Sequence, residues 1–449
     1  MNKKLLIGVI SLGCDKNRVD TENMLTLLKK AGYSFTSDSA SADIIIINTC
    51  AFIANARKES METILEMSQF KKIKTCKKLI VTGCMPQKYL PEMQADLPEV
   101  DAFLGINEYD KIVEIIESLK TSTNQLVKID SCNHLLNVED RIITTPNHYA
   151  YLLIADGCDN FCSYCTIPFI RGRYRSRDME SLVKQAKSLT AGGSNEIILV
   201  AQDVTRYGED LYGKPQLVEL IHRLSEITDL KWIRLLYCYP ELVTDELIEE
   251  LNSNPKLCSY IDIPLQHVST KVLKRMNRHT TYENIITLIE KIQSQKNAIA
   301  IRTTFMVGFP GETDDDFNLL YNFIKKYKLT NVGFFAYSKE EGTVASTMPD
   351  QIDERTKQKR LVKLVKIQKK NVISNNKKFI GKVLDVCYEG IDYEKELFYG
   401  RCEYQAPEID TLIYFTSKQP VDIGETYKVK IKHVQQYDLK GERIDESTK

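Results

Sequence analysis

Three cysteines in one short stretch of the chain have the spacing of a metal-binding loop. The stretch Asp156–Arg177 reads DGCDNFCSYCTIPFIRGRYRSR, and its C-x3-C-x2-C cysteines, here named the central triad, are Cys158, Cys162 and Cys165. Structural zinc sites use four ligands and pairs of the C-x2-C type, whereas this stretch offers one such pair and no fourth Cys or His nearby. Three cysteines on an iron–sulfur cube leave one iron open to a substrate or cofactor. The spacing favours an open cluster, with zinc as the alternative.

A second set of three cysteines is spread over the first part of the chain. Each follows an apolar run, namely KLLIGVISL (4–12), DIIIIN (43–48) or KLIVT (78–82), and this strand-end triad is Cys14, Cys50 and Cys84. Continuous Ile, Val and Leu runs between helical patterns predict central strands of a parallel sheet. Ligands of such sheets bind at the carboxyl ends of strands, so we expect the three cysteines to converge on a second metal site. The alternative is three separate buried cysteines, since cysteine often behaves as a small core residue.

The central triad carries a family resemblance. With Tyr164 as the aromatic residue, C-x3-C-x-Φ-C resembles the signature of radical SAM enzymes, and the longer run DGC-NFCSYC-IP-IRG-YRSR resembles their methylthiotransferase branch over nearly the whole chain. The resemblance implies two [4Fe-4S] clusters, one on each triad, and S-adenosyl-L-methionine (SAM). It implies that the open iron of the central cluster chelates SAM and that one electron then yields a 5′-deoxyadenosyl radical. An electron donor such as a flavodoxin or ferredoxin is therefore expected.

The resemblance also assigns segments outside the cysteines to SAM. The GGSNE segment resembles the motif that meets the methionine amino group, and the GFPG segment resembles a later glycine motif near the adenosine. An arginine in the run 299–307 is expected to pair with the methionine carboxylate, which suits a guanidinium. The aromatic residue before the last cysteine is expected near the adenine. The expected SAM-binding residues are Tyr164, Gly192, Gly193, Glu196, Arg302, Gly308 and Gly311.

The middle of the chain predicts a partial barrel. Six apolar runs alternate with helical patterns, at residues 149–155, 196–201, 232–237, 260–265, 299–307 and 331–337. Repeated β/α alternation indicates a parallel sheet, and six units fit a partial (β/α)6 barrel. Polar residues after these runs are expected to ring one barrel mouth; they are Gln202, Asp203, Gln266, His267, Glu340 and Glu341. His267 is equally compatible with a general base and with a buried, hydrogen-bonded histidine, and no role is assigned to it.

The predicted fold class is α/β with three domains. Residues 1–120 are expected to form a doubly wound parallel-sheet domain, 121–143 a polar linker, and 144–374 the radical SAM core. Short alternating segments with Gly and Pro turns over 375–443 predict a small all-β barrel, which resembles a TRAM domain. Before it, 353–370 predict a basic amphipathic helix, interpreted as a connector with a solvated lysine face; its shared face is Leu361, Leu364, Val365 and Gln368. Buried structural roles are expected for Trp232, Cys76, Cys132, Cys238 and Cys258.

Composition sets limits on location and partners. The 449 residues carry 61 Lys and Arg against 61 Asp and Glu, so net charge gives no global attraction to nucleic acid. No run approaches the ~18 apolar residues of a membrane span. The start MNKKLLIGVISLGC favours a buried first strand over a lipoprotein signal, because its apolar run is short and broken by Gly8 and Ser11. Twelve cysteines without an export signal then indicate a reducing cytoplasm.

Two segments bear on the substrate. The SLGC motif and the APEID segment (Ala406–Asp410) resemble the branch that adds a methylthio group to an aspartate of the small-subunit ribosomal protein numbered twelve, although Asp15 replaces a common proline and Gln405 a common aspartate. From residue 375 on, 12 Lys and Arg face 14 Asp and Glu, and a barrel of charge −2 suits a basic protein better than phosphates. Methylthiolation of tRNA adenosine, supported by the basic helix, and a non-catalytic iron–sulfur or zinc protein are the alternatives.

Overall fold

The computed structural model describes residues 5–73, 75–130, 135–136 and 138–444, so Cys132 lies outside the described residues. Its first domain is a six-stranded parallel sheet in the order β2-β1-β3-β4-β5-β6. Its strands are β1 (Leu6–Ser11), β2 (Ser34–Thr36), β3 (Ile44–Thr49), β4 (Lys78–Gly83), β5 (Ala102–Leu104) and β6 (Leu126–Lys128). Its helices are α1 (Asp15–Lys30), α2 (Ala54–Lys72), α3 (Cys84–Asp96) and α4 (Ile112–Leu119).

The predicted linker contains a strand of this sheet. The strand β6 pairs in parallel with β5, so the first sheet extends into residues 121–143. This strand is only three residues long and is flanked by polar residues. Its apolar run is therefore too short to be distinguished from a loop in the sequence.

The central domain is a second six-stranded parallel sheet, in the order β14-β13-β12-β11-β10-β7. These strands are β7 (Tyr149–Leu153), β10 (Glu196–Val200), β11 (Trp232–Leu235), β12 (Leu257–Asp262), β13 (Ala300–Val307) and β14 (Asn331–Ala336), with the short pair β8 (Ala155–Asp156) and β9 (Arg175–Ser176) beside them. The helices are α5 (Ile167–Arg171), α6 (Met179–Ala191), α7 (Glu209–Tyr212), α8 (Leu217–Ser225), α9 (Asp245–Ser253), α10 (Thr270–Arg275), α11 (Tyr282–Gln293), α12 (Asp314–Tyr327), α13 (Val344–Thr347) and α14 (Glu354–Asn376).

The third domain is a closed barrel in the order β15-β16-β17-β19-β18. Its strands are β15 (Val383–Asp392), β16 (Leu397–Arg401), β17 (Ile413–Thr416), β18 (Thr426–Gln435) and β19 (Asp438–Arg443). The predicted α/β class, with two parallel sheets and a small β-barrel, is confirmed. The inner face of the central sheet carries Tyr149 and Tyr151, and both Val19 of α1 and Ala406 of the third domain pack against it. The first and third domains therefore meet on the concave side of the second.

Most of the residues predicted to have buried structural roles are buried or partly buried in the structure. Cys76, Cys238 and Cys258 are buried, and Trp232 packs partly buried on the inner face of the central sheet. Of the predicted shared face of α14, Leu364 and Gln368 are buried and Leu361 is half-buried, whereas Val365 is exposed, because the helix packs through positions 360, 364, 367, 368 and 371. None of the helices in the described ranges is long and apolar enough to cross a membrane.

Candidate functional site

The strand-end triad converges at the carboxyl edge of the first sheet. Cys14 begins the turn into α1, Cys50 follows β3, and Cys84 begins α3. A Cβ added to Gly13, whose φ is +91°, would lie 2.7 Å from the Cβ of Cys50 and 3.0 Å from its Sγ, so only glycine lets the first two loops approach. Burial raises the pKa of the Cys84 thiol to about 12; the guanidinium of Arg171 opposes that rise, and the neighbouring Cys14 and Cys50 thiols add to it.

The central triad lies on the loop after β8, at the carboxyl edge of the second sheet. The Sγ of Cys162 is 2.9 Å from the hydroxyl of Tyr239, and the backbone N–H of Ile167 donates to the Sγ of Cys165 at 3.4 Å. Burial raises the pKa of Cys158 to about 11 and that of Cys165 further, and the Cys162 thiol contributes to both shifts. The three sulfurs therefore share one partly buried site.

Arg171 joins the two triads, and sequence reasoning assigned it no role although the IRG motif contains it. It ends the short helix α5 that follows Cys165, and its side chain is fully buried. One guanidinium nitrogen donates to Asn17 at 2.7 Å and to Asp20 at 2.8 Å, both on α1, while the other donates to both oxygens of Asp156 at 3.1 Å. Because the Sγ of Cys84 donates to the same Asn17 oxygen at 3.7 Å, the helix after one triad ends beside a cysteine of the other.

A second connection runs through α3. This helix begins at Cys84 and packs against α5. Lys88, about one turn further on, lowers the pKa of Cys165, although burial raises it more. The Nζ of Lys88 also donates to the carbonyl of Glu341, in the loop after β14, at 3.2 Å. The helix that begins at Cys84 thus packs against the helix that follows Cys165.

The start of α1, next to Cys14, packs against the central sheet. The Nζ of Lys16 lies 3.6 Å from the ring centroid of Tyr237, just after β11, and 3.5 Å from the carbonyl of Ala201, just after β10. The Tyr237 hydroxyl donates to Asp15 at 3.3 Å. Asp15, the departure from the family pattern beside Cys14, therefore holds the strand-end triad against the central sheet.

The donor set fits iron–sulfur clusters. Each triad supplies three free cysteines at a strand edge. Burial raises the pKa of Cys84 and of Cys165, and the nearby Arg171 and Lys88 partly oppose these shifts. Within the described ranges no three His, Cys, Asp or Glu side chains converge as ligands of a single metal ion. A [4Fe-4S] cluster does not require its cysteines to converge on one ion, because each cysteine binds a different iron.

The structure brings Tyr164 together with the later glycine segment. The ring of Tyr164 meets Phe309 edge to face at 6.3 Å between centroids, and Phe309 lies between Gly308 and Gly311. Gly308 has a φ of +72°, and a Cβ there would lie 2.2 Å from Cγ of Lys357. The glycine is therefore required for α14 to pack against the end of β13.

The GGSNE segment lies at the opposite edge of the sheet. Gly192 caps the end of α6, Gly193 follows it, and Glu196 is the first residue of β10, paired in register with Tyr149 at the start of β7. The central triad follows the carboxyl end of β7. This placement corrects the assignment of Gly192, Gly193 and Glu196 to SAM, because the segment precedes its strand instead of following it.

Glu196 instead joins the central domain to the third domain. Its carboxylate is fully buried, 2.6 Å from Arg234 and 2.8 Å from Arg401 of β16. Burial alone would raise its pKa, but these two guanidiniums lower the pKa of Glu196 to about 2. Arg401 also pairs with Glu389 at 2.7 Å. A network of buried charges thus fixes the β-barrel to the amino edge of the central sheet.

We expect Glu196→Gln to reduce the free energy of unfolding by about 3–5 kcal/mol, because Arg234 and Arg401 lose a buried counter-charge. The folded-state pKa is below the ordinary 4.5, so the contribution is complete above pH 4.5 and is lost as pH falls toward 2. Denaturant unfolding at pH 7 measures it, with the exposed Glu180→Gln as control. If Glu196→Gln left the free energy of unfolding unchanged but weakened SAM binding, Glu196 would belong to the SAM site after all.

Arg302 already has two protein partners. Its guanidinium is 3.2 Å from Asp262 of β12 and 3.5 Å from Asp410 of the APEID segment. Asp410 also accepts a hydrogen bond from Tyr260 at 2.8 Å. The APEID segment therefore packs against the concave face of the central sheet, and pairing of Arg302 with a methionine carboxylate stays a prediction.

The predicted polar ring lies at the carboxyl edge, and several members have structural partners. Asp203 accepts a hydrogen bond from Asn160 of the cysteine loop at 3.2 Å, and Gln202 donates to Asp156 at 2.8 Å. Glu340 accepts the backbone N–H of Ala54 at the start of α2.

Two other members of the ring, His267 and Gln266, are buried or half-buried and differ in their hydrogen bonds. His267 is fully buried, with Nδ1 accepting the backbone N–H of Ser269, which fits the structural interpretation of this histidine. The side-chain oxygen of Gln266 and the Nε2 of His267 are both buried without a hydrogen-bond partner in the described part of the chain.

Comparison with known families divides the chain into the same three parts. The uncharacterized protein family UPF0004 matches residues 6–105, the radical SAM superfamily 152–324 and the TRAM domain 380–444. The partial barrel and its cysteine loop are therefore those of a radical SAM enzyme. The chain is 46% identical over 456 residues to "Ribosomal protein uS12 methylthiotransferase RimO" of Acetivibrio thermocellus, with 100% of both chains covered. It belongs to this RimO family of radical SAM methylthiotransferases.

Other relatives and solved structures agree. Proteins of the same name from Clostridium tetani and Clostridium kluyveri are 47% and 48% identical, covering 99% of this chain and 100% of each relative. The radical SAM methyltransferase TsrM of Kitasatospora setae, with cobalamin and a [4Fe-4S] cluster bound, has a TM-score of 0.55 at 14% identity, covering 74% of this chain and 72% of its own. The SAM radical enzyme OxsB, with SAM and aqua-cobalamin bound, has a TM-score of 0.53 at 14% identity and covers 82% and 56%. These likenesses support the fold.

Proposed function

We propose that this chain adds a methylthio group to the β-carbon of one aspartate of ribosomal protein uS12. The proposal is supported by two cysteine triads at the carboxyl ends of the strands of two sheets, linked through Arg171 and α1, in a chain similar over its full length to proteins named for this activity. The cytoplasm, where uS12 is made, is the expected location.

Each triad is proposed to hold one [4Fe-4S] cluster, with Cys158, Cys162 and Cys165 on one and Cys14, Cys50 and Cys84 on the other. When bound, the clusters and SAM supply the radical and the sulfur chemistry, with electrons from a donor such as a flavodoxin or ferredoxin. The segment of Tyr164, Gly308 and Gly311 is proposed to receive the adenosine of SAM.

The chain's own residues position these groups and limit access of water. Arg171 and Lys88 place positive charge beside the thiols, which favours the thiolates that metal binding requires. Lys16 and Tyr237 hold the start of α1, next to Cys14, against the central sheet. The target aspartate would enter the space between the triads.

An anaerobic assay tests the proposal. Reconstituted enzyme, SAM and dithionite are offered uS12 and bulk tRNA together, and both products are read by mass spectrometry. We expect one methylthio gain on one aspartate of uS12 and none on tRNA. A methylthio group on tRNA adenosine instead would show that the substrate is tRNA and would contradict the proposal.

Tyr239 is expected to tune the cluster on the central triad. Burial raises the pKa of Tyr239, so its hydroxyl keeps the proton that it can donate to Cys162. Hydrogen bonds to cluster sulfurs raise the reduction potential. Tyr239→Phe should lower it by roughly 20–60 mV, the equivalent of one ordinary hydrogen bond. A redox titration followed by EPR measures the shift, and Tyr207→Phe, whose hydroxyl donates to the carbonyl of Arg177, is the control. Equal potentials in both variants would contradict the assignment.

A further inference from the structure

A cleft lined by lysines runs along the outer surface of the central domain, between α12 and α14. It has a volume of about 740 Å³. The lysine groove is defined by five of its lining residues, Lys325, Lys328, Lys363, Lys366 and Lys370. The cysteine sites and the SAM segment do not include any of them, so the groove has no part in the chemistry proposed above.

The five lysines converge because of their spacing on two neighbouring helices. Lys363, Lys366 and Lys370 are three and four residues apart, which places them on one face of α14. Lys325 and Lys328 lie at the carboxyl end of α12 on the opposite wall. All five are exposed, and none forms an ion pair with a carboxylate among the described residues.

The positive charge in the groove is only partly offset by its surroundings: Arg360 does most to lower the pKa of Asp314, and Lys363 contributes to the same shift. The helix α14 contains eight lysines and arginines and one glutamate, so it carries a large excess of positive charge. The carboxylates at its amino end are already engaged, with Asp314 2.9 Å from Arg360 and Glu354 2.6 Å from Lys357. The helix dipole favours cations in the last turn, but Lys363 and Lys366 lie in the middle of α14. An ordinary solvated face would mix both signs of charge.

The lining suits a phosphate backbone. Lysine binds phosphate as a mobile point charge, and several lysines along an open groove can neutralise successive phosphates. The half-buried Tyr321 and the exposed Asn318 add polar groups on the α12 wall. We propose that the lysine groove docks the RNA of the small ribosomal subunit and so holds the enzyme on the particle that carries its substrate. This inference rests on the proposed function for its choice of RNA, whereas the binding of RNA itself does not depend on it.

Binding is tested with a variant that removes three charges from the groove, Lys363→Gln/Lys366→Gln/Lys370→Gln. The control removes three exposed lysines from other faces, Lys72→Gln/Lys187→Gln/Lys214→Gln. Reconstituted enzyme is titrated into a labelled A-form RNA duplex, tRNA and intact small subunits over a range of salt concentrations. We expect the groove variant to bind the duplex and the subunit at least about tenfold more weakly than the control variant, with a salt slope lower by about 2–3.

The consequence for the reaction is measured separately. Methylthiolation of uS12 within the small subunit should slow about tenfold in the groove variant, while free uS12 and SAM cleavage proceed at wild-type rates. Equal RNA binding by the groove and control variants would overturn the proposal, as would a groove that prefers tRNA to the subunit. If no substrate is methylthiolated by wild-type enzyme, the proposed function fails, and the binding titrations still decide whether the groove binds RNA.

Discussion

Replacing Cys158, Cys162 and Cys165 together with alanine is expected to abolish SAM cleavage and to halve bound iron, from about eight to about four atoms per chain. Replacing Cys14, Cys50 and Cys84 should halve the iron equally but leave reductive cleavage of SAM in place, with no methylthio product. The physical reason is that each triad supplies a separate ligand set on a separate sheet. Iron analysis, deoxyadenosine release and product mass spectrometry measure the three quantities.

The matched control replaces buried cysteines outside the triads. Cys238→Ala and Cys258→Ala remove thiols that are completely or almost completely buried in the central domain. Full iron content and full SAM cleavage are expected for both. A triad variant that kept all its iron, or a control that lost half, would show that the ligand sets are assigned wrongly.

Arg171→Met is expected to lower the free energy of unfolding by about 3–5 kcal/mol. The substitution leaves the carboxylates of Asp20 and Asp156 buried without their shared counter-charge, and it removes the donor to Asn17. It should also reduce iron loading at the strand-end triad, because the positive charge that opposes the raised pKa of Cys84 is lost. Denaturant unfolding and iron content measure the two effects.

Two further substitutions separate charge from geometry. Arg171→Lys keeps the charge but loses the fork that bonds α1 and Asp156 together, so intermediate stability is expected. Arg173→Met removes a side chain that is 72% exposed and should change stability by no more than about 0.5 kcal/mol. Wild-type stability in Arg171→Met would show that the two domains are held together by other contacts.

The long apolar runs predicted the central strands of both sheets, but they did not predict the three-residue strands β2, β5 and β6 of the first sheet. The strand Ile44–Thr49, which begins with four isoleucines, is buried along its whole length. The cysteines after such strands lie at one edge of the sheet because parallel strands end there. By contrast, Arg171 lies 151 residues from Asp20 in the sequence. No local sequence pattern predicts which carboxylates a buried arginine will pair with. The GGSNE segment was assigned wrongly because its sequence resembles a motif, whereas it leads into the amino end of β10, at the edge of the sheet opposite the cysteine loop.

The magnetic interaction between the two reduced clusters tests the central claim most directly. EPR spectra of reduced, reconstituted enzyme are compared with those of the two triple-alanine variants, each of which holds one cluster. If the triads face each other across α3 and α5, the wild-type spectrum should be broadened or split relative to the sum of the two variant spectra. A wild-type spectrum equal to that sum would contradict a shared site.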